Sequence, residues 1–229
     1  MRGYILLEGG AEFGGQMANP DKRAIELAGG SDVRVSIIPA AAFPDNNHQR
    51  AGQSGVRWFK QLGAKQVTLL PLIDQASANQ SSVASVLRRS RLTYLLGGFP
   101  HYLAHTLAGS LSWQAILEAY DTGAVIGGSS AGAMILCQHY YDPDTQRIME
   151  GLNLVHQACL VPHHNTFGKG WASSLVPSIP HDVIVGVDEQ TGLIDEGVQG
   201  EWTVFGKGIA TVYKRGEPKT YHSGETFSL

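Results

Sequence analysis

Short apolar runs alternate with longer amphipathic stretches from the beginning of the chain to its middle. Runs rich in Val, Ile and Leu predict β-strands over residues 4–7, 33–39, 66–73, 92–96 and 124–126. The stretches between them carry apolar residues at helical spacing and predict helices over residues 22–28, 48–62, 81–87, 101–119 and 131–139. Apolar strands separated by helices are typical of a parallel sheet with both faces covered.

The pattern changes toward the end of the chain. Short strands follow one another closely at residues 183–187, 193–195, 202–205, 209–214 and 218–221, with Gly and charged residues in the linkers. This spacing predicts antiparallel hairpins on an edge of the sheet. We therefore expect a single domain over residues 1–229. Its predicted fold is an α/β three-layer sandwich with a mainly parallel sheet, helices on both faces and an antiparallel C-terminal extension.

The composition narrows the function classes. Hydrophobic residues make up 43% of the chain and the net charge is −3, which fits a globular protein and argues against a nucleic-acid-binding surface. Two cysteines, Cys137 and Cys159, are too few for a disulfide framework and indicate a reducing, cytoplasmic compartment. No apolar run approaches the ~20 residues that span a bilayer. The run over residues 4–7 is too short for an export signal.

A glycine-rich turn carries the strongest chemical signal. Gly128-Ser129-Ser130-Ala131-Gly132 matches the pattern G-x-S-x-G between an apolar strand and a helix. A nucleophile on such a turn has a strained backbone, small neighbours let the chain pass closely, and the helix N-terminus directs N–H groups at a developing oxyanion. Ser130 is the predicted nucleophile of a serine hydrolase. Ser129 is the competing candidate, and a glycine-rich loop without chemistry also fits the pattern.

Candidates for the general base and the orienting carboxylate of Ser130 lie at the ends of other predicted strands. A nucleophilic serine needs a base, usually His, oriented by a carboxylate. His163 and His164 follow the predicted strand 158–162, and catalytic groups gather at such ends. Adjacent strand residues point to opposite faces, so we expect only one of the two in the site. Asp188 and Glu189 also follow a strand, although by themselves they fit a polar turn better.

Several segments, in order along the chain, carry a resemblance to a known family. They are residues 8–12, 96–98, 128–133, 151–164, 186–193 and 202–208. On these segments the chain resembles the dipeptidase E and cyanophycinase family of serine peptidases, a branch of the class I glutamine-amidotransferase-like fold. The resemblance covers most of the chain, and the nucleophile and acid motifs occur in the family's order.

The resemblance implies the roles of individual residues. It implies a triad in which His163 takes the proton from Ser130 and Glu189 holds the imidazole in the right tautomer. It also implies that the backbone N–H groups of Gly98 and Ala131 stabilise the oxyanion. The family expectation for the substrate is a short peptide cut next to its N-terminal residue, with a preference for N-terminal Asp.

Two departures from the family pattern bear on the substrate. Phe99 and Pro100 stand where the family has a polar residue, and residues 165–171 lack the arginines that cyanophycinases carry after the catalytic His. Both departures argue against cyanophycin as the substrate. We expect Phe99 to line the substrate site and Lys169 to offset the charge of an acidic side chain. The expected binding partner is thus a small peptide substrate. A homodimer is a possible oligomeric state of the chain.

Two other functions stay open. An α/β-hydrolase esterase uses the same turn with the chain order Ser, acid, His, which Asp195 and His222 satisfy. The missing HGGG-type oxyanion loop and the antiparallel tail count against it. A binding protein that has kept the fold and lost the chemistry is the second alternative, which the Phe99-Pro100 pair favours.

No metal ion or organic cofactor is expected. Residues 9–15 follow a strand but lack the G-x-G-x-x-G spacing and the P-loop Lys-Ser/Thr pair of nucleotide sites. The sequence has no H-E-x-x-H and no paired C-x-x-C, the usual spacings of zinc ligands. We also interpret Cys137 as a core residue two turns into the helix predicted after Ser130.

Overall fold

The strands of the chain form two β-sheets. The computed structural model describes residues 2–197, 200–214 and 217–229. Its strands are β1 (Tyr4–Glu8), β2 (Arg34–Ile38), β3 (Gln66–Leu69), β4 (Leu92–Leu95), β5 (Val125–Ser129), β6 (Cys137–Asp142), β7 (Arg147–Glu150), β8 (Val155–Val161), β9 (Val183–Val187), β10 (Thr191–Asp195), β11 (Glu201–Gly206), β12 (Ala210–Lys214), β13 (Glu217–Tyr221) and β14 (Thr226–Ser228).

The first sheet has the strand order β14-β11-β10-β1-β5-β4-β2-β3. Strands β1, β5, β4, β2 and β3 are parallel, and the antiparallel strands β10, β11 and β14 extend the sheet beyond β1. Glu8 pairs with Ser129, so β1 and β5 end at the same edge of the sheet. The predicted α/β class, with a mainly parallel sheet and an antiparallel C-terminal extension, is confirmed.

The second sheet has the strand order β13-β12-β9-β8-β6-β7. Strands β6, β8 and β9 are parallel to one another, whereas β7, β12 and β13 are antiparallel to their neighbours. The sequence analysis placed all the late hairpins on the edge of one sheet, which is wrong in this respect. Strands β12 and β13 join β9 in the second sheet, because the pattern of a hairpin shows its local pairing and not the sheet that it extends.

Helices cover both faces of the first sheet. They are α1 (Ala18–Ala28), α2 (His48–Gln61), α3 (Gln75–Ala78), α4 (Ser81–Leu87), α5 (Pro100–Leu107), α6 (Leu111–Asp121), α7 (Ala131–Met134) and α8 (Lys169–Leu175). On one face, Ile25 of α1 and Phe59 of α2 belong to an apolar cluster with Leu6, Ile37 and Tyr94 of the sheet.

The opposite face of the first sheet packs on α4, α6 and the second sheet. Leu87 of α4 and Ile116 of α6 share a buried cluster with Leu7 of β1 and Val185 of β9. Full burial of an aliphatic side chain of this size typically contributes ~1.5–3 kcal/mol, so this cluster holds the two sheets together. Helix α8 covers the second sheet's outer face, where Leu175 packs with the neighbouring strands.

Two predicted elements are shorter than the sequence analysis placed them. The helix predicted over 101–119 is broken: α5 ends at Leu107, Gly109 takes φ 67°, and the Ser110 hydroxyl accepts a hydrogen bond from Trp113 N at 3.1 Å to begin α6. The strand predicted over 66–73 ends at Leu69. Pro71 follows two residues later and has no N–H for the sheet.

The helix predicted over 131–139 is also wrong in its second half. Helix α7 ends at Met134, and Cys137 is the first residue of β6 and not a helical residue. The N–H of Leu152 donates to Ile135 O at 2.6 Å, and that of Gly151 donates to Gln138 O at 2.8 Å. A later segment thus takes the carbonyl groups that a continued helix would have used.

Candidate active site

The candidate site lies at the carboxyl edge of the first sheet. Loops that follow β1, β4 and β5 bring residues 9–12, 97–98 and Ser130 to this edge. Strands β8 and β9 of the second sheet end beside it and supply His163 and Glu189. Functional groups of α/β proteins gather at the carboxyl ends of strands, so both sheets contribute to one site.

Ser130 occupies a strained turn between β5 and α7. Its φ of 50° and ψ of −115° form a conformation that non-glycine residues rarely adopt and that typically costs ~1–3 kcal/mol. Its N–H donates to Glu8 O at 3.0 Å. A Cβ on Gly128 would lie 2.5 Å from the Gly132 carbonyl carbon, and one on Gly132 would lie 2.2 Å from Leu95 O. The backbone therefore passes too closely for any residue but glycine at both motif positions.

A hydrogen-bonded chain links Ser130, His163 and Glu189. The Ser130 hydroxyl is 3.1 Å from His163 Nε2, and His163 Nδ1 is 2.8 Å from Glu189 Oε1. A carboxylate accepts only, so Glu189 favours the tautomer with the proton on Nδ1. Nε2 is then free to accept the serine proton. The His163 side chain is 18% exposed and that of Glu189 is 34% exposed, so the chain is reachable from solvent.

The loop after β1 holds the histidine and acid segments in place. Gly9 O accepts the His163 N–H at 2.7 Å, and Gly10 O accepts the Gln190 N–H at 3.0 Å. A Cβ on Gly10 would lie 2.2 Å from His163 Cε1, and its φ is 109°. Glycine at this position leaves room for the imidazole.

Within the described part of the chain, the two predicted oxyanion donors have N–H groups without a protein acceptor. Ala131 follows Ser130 in the chain. A Cβ on Gly97, next to Gly98, would lie only 3.3 Å from Ser130 Cβ. Among the described residues, none accepts a hydrogen bond from the N–H of Gly98 or of Ala131. Gly98 has φ 139°, and a Cβ there would lie 2.3 Å from Ala41 O. Both N–H groups are thus available to a ligand beside Ser130.

Ser129 contacts Glu12, whereas His163 contacts Ser130. Its side chain is fully buried, and its hydroxyl donates to Glu12 Oε2 at 3.0 Å. The other carboxylate oxygen, Glu12 Oε1, lies 3.3 Å from the point that a Gly97 Cβ would occupy. The sequence analysis missed Glu12 as a site residue. Its only signal was an acidic residue in the glycine-rich segment after β1.

The sequence analysis also missed two residues after His163. The Phe167 ring stacks on the His163 ring at 4.7 Å between centroids with an interplanar angle of 27°, and Phe167 is 57% exposed. The Asn165 side chain accepts the Glu189 N–H at 2.9 Å. An aromatic and an amide in a loop after the histidine were the available signal.

His164 and Lys169 lie on the second-sheet side of the site. His164 is buried, with Nε2 2.9 Å from the Tyr213 hydroxyl, so only His163 of the two histidines contacts Ser130. Burial is the main cause that lowers the pKa of His164, and the nearby charge of Lys169 lowers it further. Lys169 is exposed at the first position of α8. The structure does not bring Lys169 into hydrogen-bond contact with Ser130, His163 or Glu189.

Phe99 follows Gly98, one of the two predicted oxyanion donors, and lines a neighbouring groove. Its N–H donates to Ala41 O at 2.9 Å, which fixes the chain next to Gly98. Its side chain lines a groove of about 420 Å³ together with Tyr102 and His105 of α5. Phe99 therefore forms an apolar wall of this groove, and it follows Gly98 directly in the chain.

A second pair of acids lies beneath the site. Glu8 and Asp21 are fully buried. The Tyr94 hydroxyl donates to Glu8 Oε2, and Trp58 Nε1 donates to Asp21 Oδ2 at 2.7 Å. Burial, followed by the charge of Asp21, raises the pKa of Glu8 well above its usual range. Burial raises the pKa of Asp21 to about 7.

The carboxyls of Glu8 and Asp21 interact with each other, and this interaction contributes to the pKa shifts of both. One oxygen on each, Glu8 Oε1 and Asp21 Oδ1, has no other hydrogen-bond partner among the described residues. A proton on one carboxyl that is donated to the other would satisfy both atoms, in keeping with the raised pKa values of Glu8 and Asp21.

The esterase order of residues is not brought together. Asp195 pairs with Ile5 at the start of β1, whereas Gly192 of the same strand pairs with Glu8 at the carboxyl end. Asp195 thus lies toward the sheet's opposite edge, where its Oδ1 accepts the Gly197 N–H at 3.0 Å. His222 is exposed in the turn between β13 and β14.

Within residues 2–197, 200–214 and 217–229, no three His, Cys, Asp or Glu side chains are grouped so that they could hold a metal ion. No helix in these same ranges has the length and the apolar character needed to cross a membrane.

Comparisons with known proteins match most of the chain. The model of peptidase family S51 matches residues 5–201. A cyanophycinase of Geminocystis herdmanii is 25% identical over 226 residues, which cover 93% of this chain and 80% of the relative. A cyanophycinase of Trichormus variabilis is 26% identical over 219 residues, 91% of this chain and 72% of the relative. The crystal structure of a peptidase from an acI-B1 Actinobacterium superposes with a TM-score of 0.88 at 28% identity, covering 100% of this chain and 98% of that one.

The fold and these matches define a hydrolase of the serine peptidase class. The chain belongs to peptidase family S51, whose model matches well over half of its length. The family resemblance noted in the sequence is thereby confirmed.

Proposed function

We propose that the chain is a serine exopeptidase that cleaves short peptides next to their N-terminal residue. Ser130 is the nucleophile, His163 the general base and acid, and Glu189 the residue that orients the imidazole. The single observation that carries the proposal is the continuous chain of hydrogen bonds from the Ser130 hydroxyl through His163 to Glu189. It supports acyl transfer to water without a cofactor.

The reaction follows from the placement of these atoms. Ser130 Oγ attacks the peptide carbonyl carbon while its proton passes to His163 Nε2. The N–H groups of Gly98 and Ala131 donate to the oxyanion of the tetrahedral intermediate. His163 then gives its proton to the leaving amine as the C–N bond breaks. Water, deprotonated by His163, attacks the acyl-enzyme and releases the acid.

The first experiment tests the nucleophile. Ser130→Ala should lower kcat/KM on short peptides by at least ~10³-fold and leave the protein folded, since a triad contributes this much or more. Ser129→Ala is the matched control, with the same change one residue away, and should be much milder. A reversed order of the two effects would place the nucleophile at Ser129. Turnover of simple esters without any peptide cleavage would favour an esterase.

The second experiment tests the preference for N-terminal Asp, the finer part of the proposal. The dipeptides Asp-Leu, Asn-Leu and Leu-Leu are compared by kcat/KM in the native protein and in Lys169→Ala. A preference carried by Lys169 predicts that Asp-Leu is best and loses its advantage in the variant. Equal rates for all three in the native protein would end the acidic-substrate hypothesis, in keeping with the apolar wall at Phe99.

A further inference from the structure

We propose that Glu12 binds the α-ammonium group of the substrate's first residue and thereby makes the enzyme selective for peptides with a free N-terminus. The proposal deepens the exopeptidase function above and rests on it. It assigns to Glu12 a specificity-determining role that neither the triad nor the oxyanion donors supply.

The position of Glu12 relative to the nucleophile is the first argument. Glu12 Oε1 and Ser130 Cβ both lie 3.3 Å from one point, the position of a Cβ on Gly97. Their separation is therefore at most twice that distance. Because residue 97 is a glycine, no side chain fills the space between the carboxylate and the nucleophile. A small group of a bound substrate can enter there.

The protein holds the Glu12 side chain in place. Its Oε2 accepts the hydroxyl of the fully buried Ser129 at 3.0 Å. The surrounding loop has positive φ at two non-glycine residues, 58° at Ala11 and 65° at Phe13. Such conformations persist only where the structure enforces them. One carboxylate oxygen is thus fixed by the protein while Oε1 faces the open space.

The charge of Glu12 also favours binding of a cation. Among the residues that the structure describes, no Lys, Arg or His forms an ion pair with Glu12. Its charge acts on its surroundings, since it contributes, after burial and other causes, to the raised pKa of Glu8 and of Asp21. A cation at Oε1 would gain a charge-assisted hydrogen bond in a partly desolvated place.

The ammonium group of the first residue fits this place best. When Ser130 Oγ attacks the carbonyl of that residue, its α-nitrogen is only a few bonds from Oγ. The nitrogen therefore lies in the region that Ser130 and the Glu12 carboxylate share. A peptide cut internally, or one with an acetylated N-terminus, places an uncharged amide there and forgoes the ionic contact.

The decisive measurement is the ratio of kcat/KM for Leu-Leu to that for acetyl-Leu-Leu. The native enzyme should favour the free amine, and Glu12→Gln should lower kcat/KM for Leu-Leu by ~10–100-fold, the range for a lost hydrogen bond to a charged group. The value for acetyl-Leu-Leu should change little. Glu150→Gln, at an exposed carboxylate at the end of β7, is the matched control and should leave both values unchanged.

A pH profile separates recognition from a structural role. A peptide α-amino group loses its proton near pH ~7.7–8.0, so kcat/KM for Leu-Leu should fall above that range in the native enzyme. Glu12→Gln should lose this alkaline limb, whereas a variant that is merely destabilised would keep it. An unchanged ratio of free to acetylated substrate in Glu12→Gln would overturn the proposal. Glu12-dependent cleavage of acetyl-Lys-Leu in preference to Leu-Leu would also overturn it.

A binding experiment keeps this inference separate from the peptidase function. Calorimetry with Ser130→Ala compares the affinity for Leu-Leu and acetyl-Leu-Leu, with and without Glu12→Gln. Tighter binding of the free amine that disappears with Glu12→Gln supports the inference even if the native protein cleaves no peptide. Equal affinities in Ser130→Ala contradict it even if peptides are cleaved.

Discussion

Two groups of carboxyls near the loop that follows β1 differ in their exposure. In the upper group, Glu189 is 34% exposed and contacts His163, and Glu12 is partly exposed near Ser130. In the lower group, Glu8 and Asp21 are fully buried. All four residues carry a carboxyl group, but their surroundings differ. Burial in an apolar environment favours the protonated form of a carboxyl, whereas exposure to water favours the ionised form that can bind a cation.

The buried pair connects the elements that support the site. Glu8 ends β1, Asp21 lies in α1, and their partners Tyr94 and Trp58 lie in β4 and α2. The same Glu8 supplies the carbonyl that fixes the Ser130 N–H. The upper group therefore does the chemistry that we propose, while the lower group positions the strand ends on which that chemistry depends.

The largest expected effect comes from a substitution that disrupts the contact between Glu189 and His163 without changing an acidic residue. Gly10→Ala places a methyl group where the His163 ring lies, 2.2 Å from Cε1. The imidazole must move, so kcat should fall by at least ~10³-fold, as for loss of a triad member. Steady-state kinetics on a dipeptide, with the melting temperature measured in parallel, checks this.

A glycine of the same loop provides the control for this variant. Gly14 is extended, with φ −165°, and a Cβ there would meet no atom within 4 Å. Gly14→Ala should therefore keep native kcat. Near-native kcat in Gly10→Ala would show that the observed imidazole position is not the catalytic one.

The next effect separates the two ends of β10. Residue 189 lies just before this strand. The change Glu189→Gln should lower kcat by about 10²–10³-fold, because an amide can hold His163 in the wrong tautomer. We expect less than for a buried acid, since Glu189 is 34% exposed and water can replace part of its role. Asp195→Asn, at the far end of the strand, should leave kcat unchanged. Equal losses in the two variants would remove the distinction between catalytic and structural acids.

The parts of the site that the sequence predicts are those with a strong local signature. The Ser130 turn has small residues on every side because its backbone passes closely between β5 and α7. His163 and Glu189 follow apolar strands, so their place at a sheet edge could be expected. Glu12 and Phe167 lie in irregular loops whose backbone angles set their direction, and the residue pattern carries no information on those angles.

The second sheet shows the limit for the fold. Residues 135–137 are apolar and buried, and such a short run fits a helix or a buried strand equally. In the structure residues 135 and 136 form a turn and Cys137 begins β6, which pairs with β8, a strand that comes later in the chain. The βα units of the first sheet were predictable because each strand and its helix are neighbours in sequence.

The smallest expected effect concerns stability and belongs to the lower group. Burial raises the pKa of Asp21 to about 7, so the folded protein holds a proton that the unfolded chain releases near pH ~4. Because the pKa is raised in the folded state, this proton stabilises the fold fully at pH values below the unfolded pKa, and the stabilisation is lost as the pH rises toward about 7.

Asp21→Asn cannot lose a proton, and its amide can donate to Glu8 Oε1, which has no other partner in the described part of the chain. Between about pH 5 and about pH 8 the native protein should lose up to a few kcal/mol more unfolding free energy than Asp21→Asn does. Urea unfolding at both pH values measures this, with Asp121→Asn at the exposed end of α6 as the control. If the unfolding free energy of Asp21→Asn depended more steeply on pH than that of the native protein, Asp21 would be charged in the folded state. The buried and the exposed carboxyls would then not differ in their protonation.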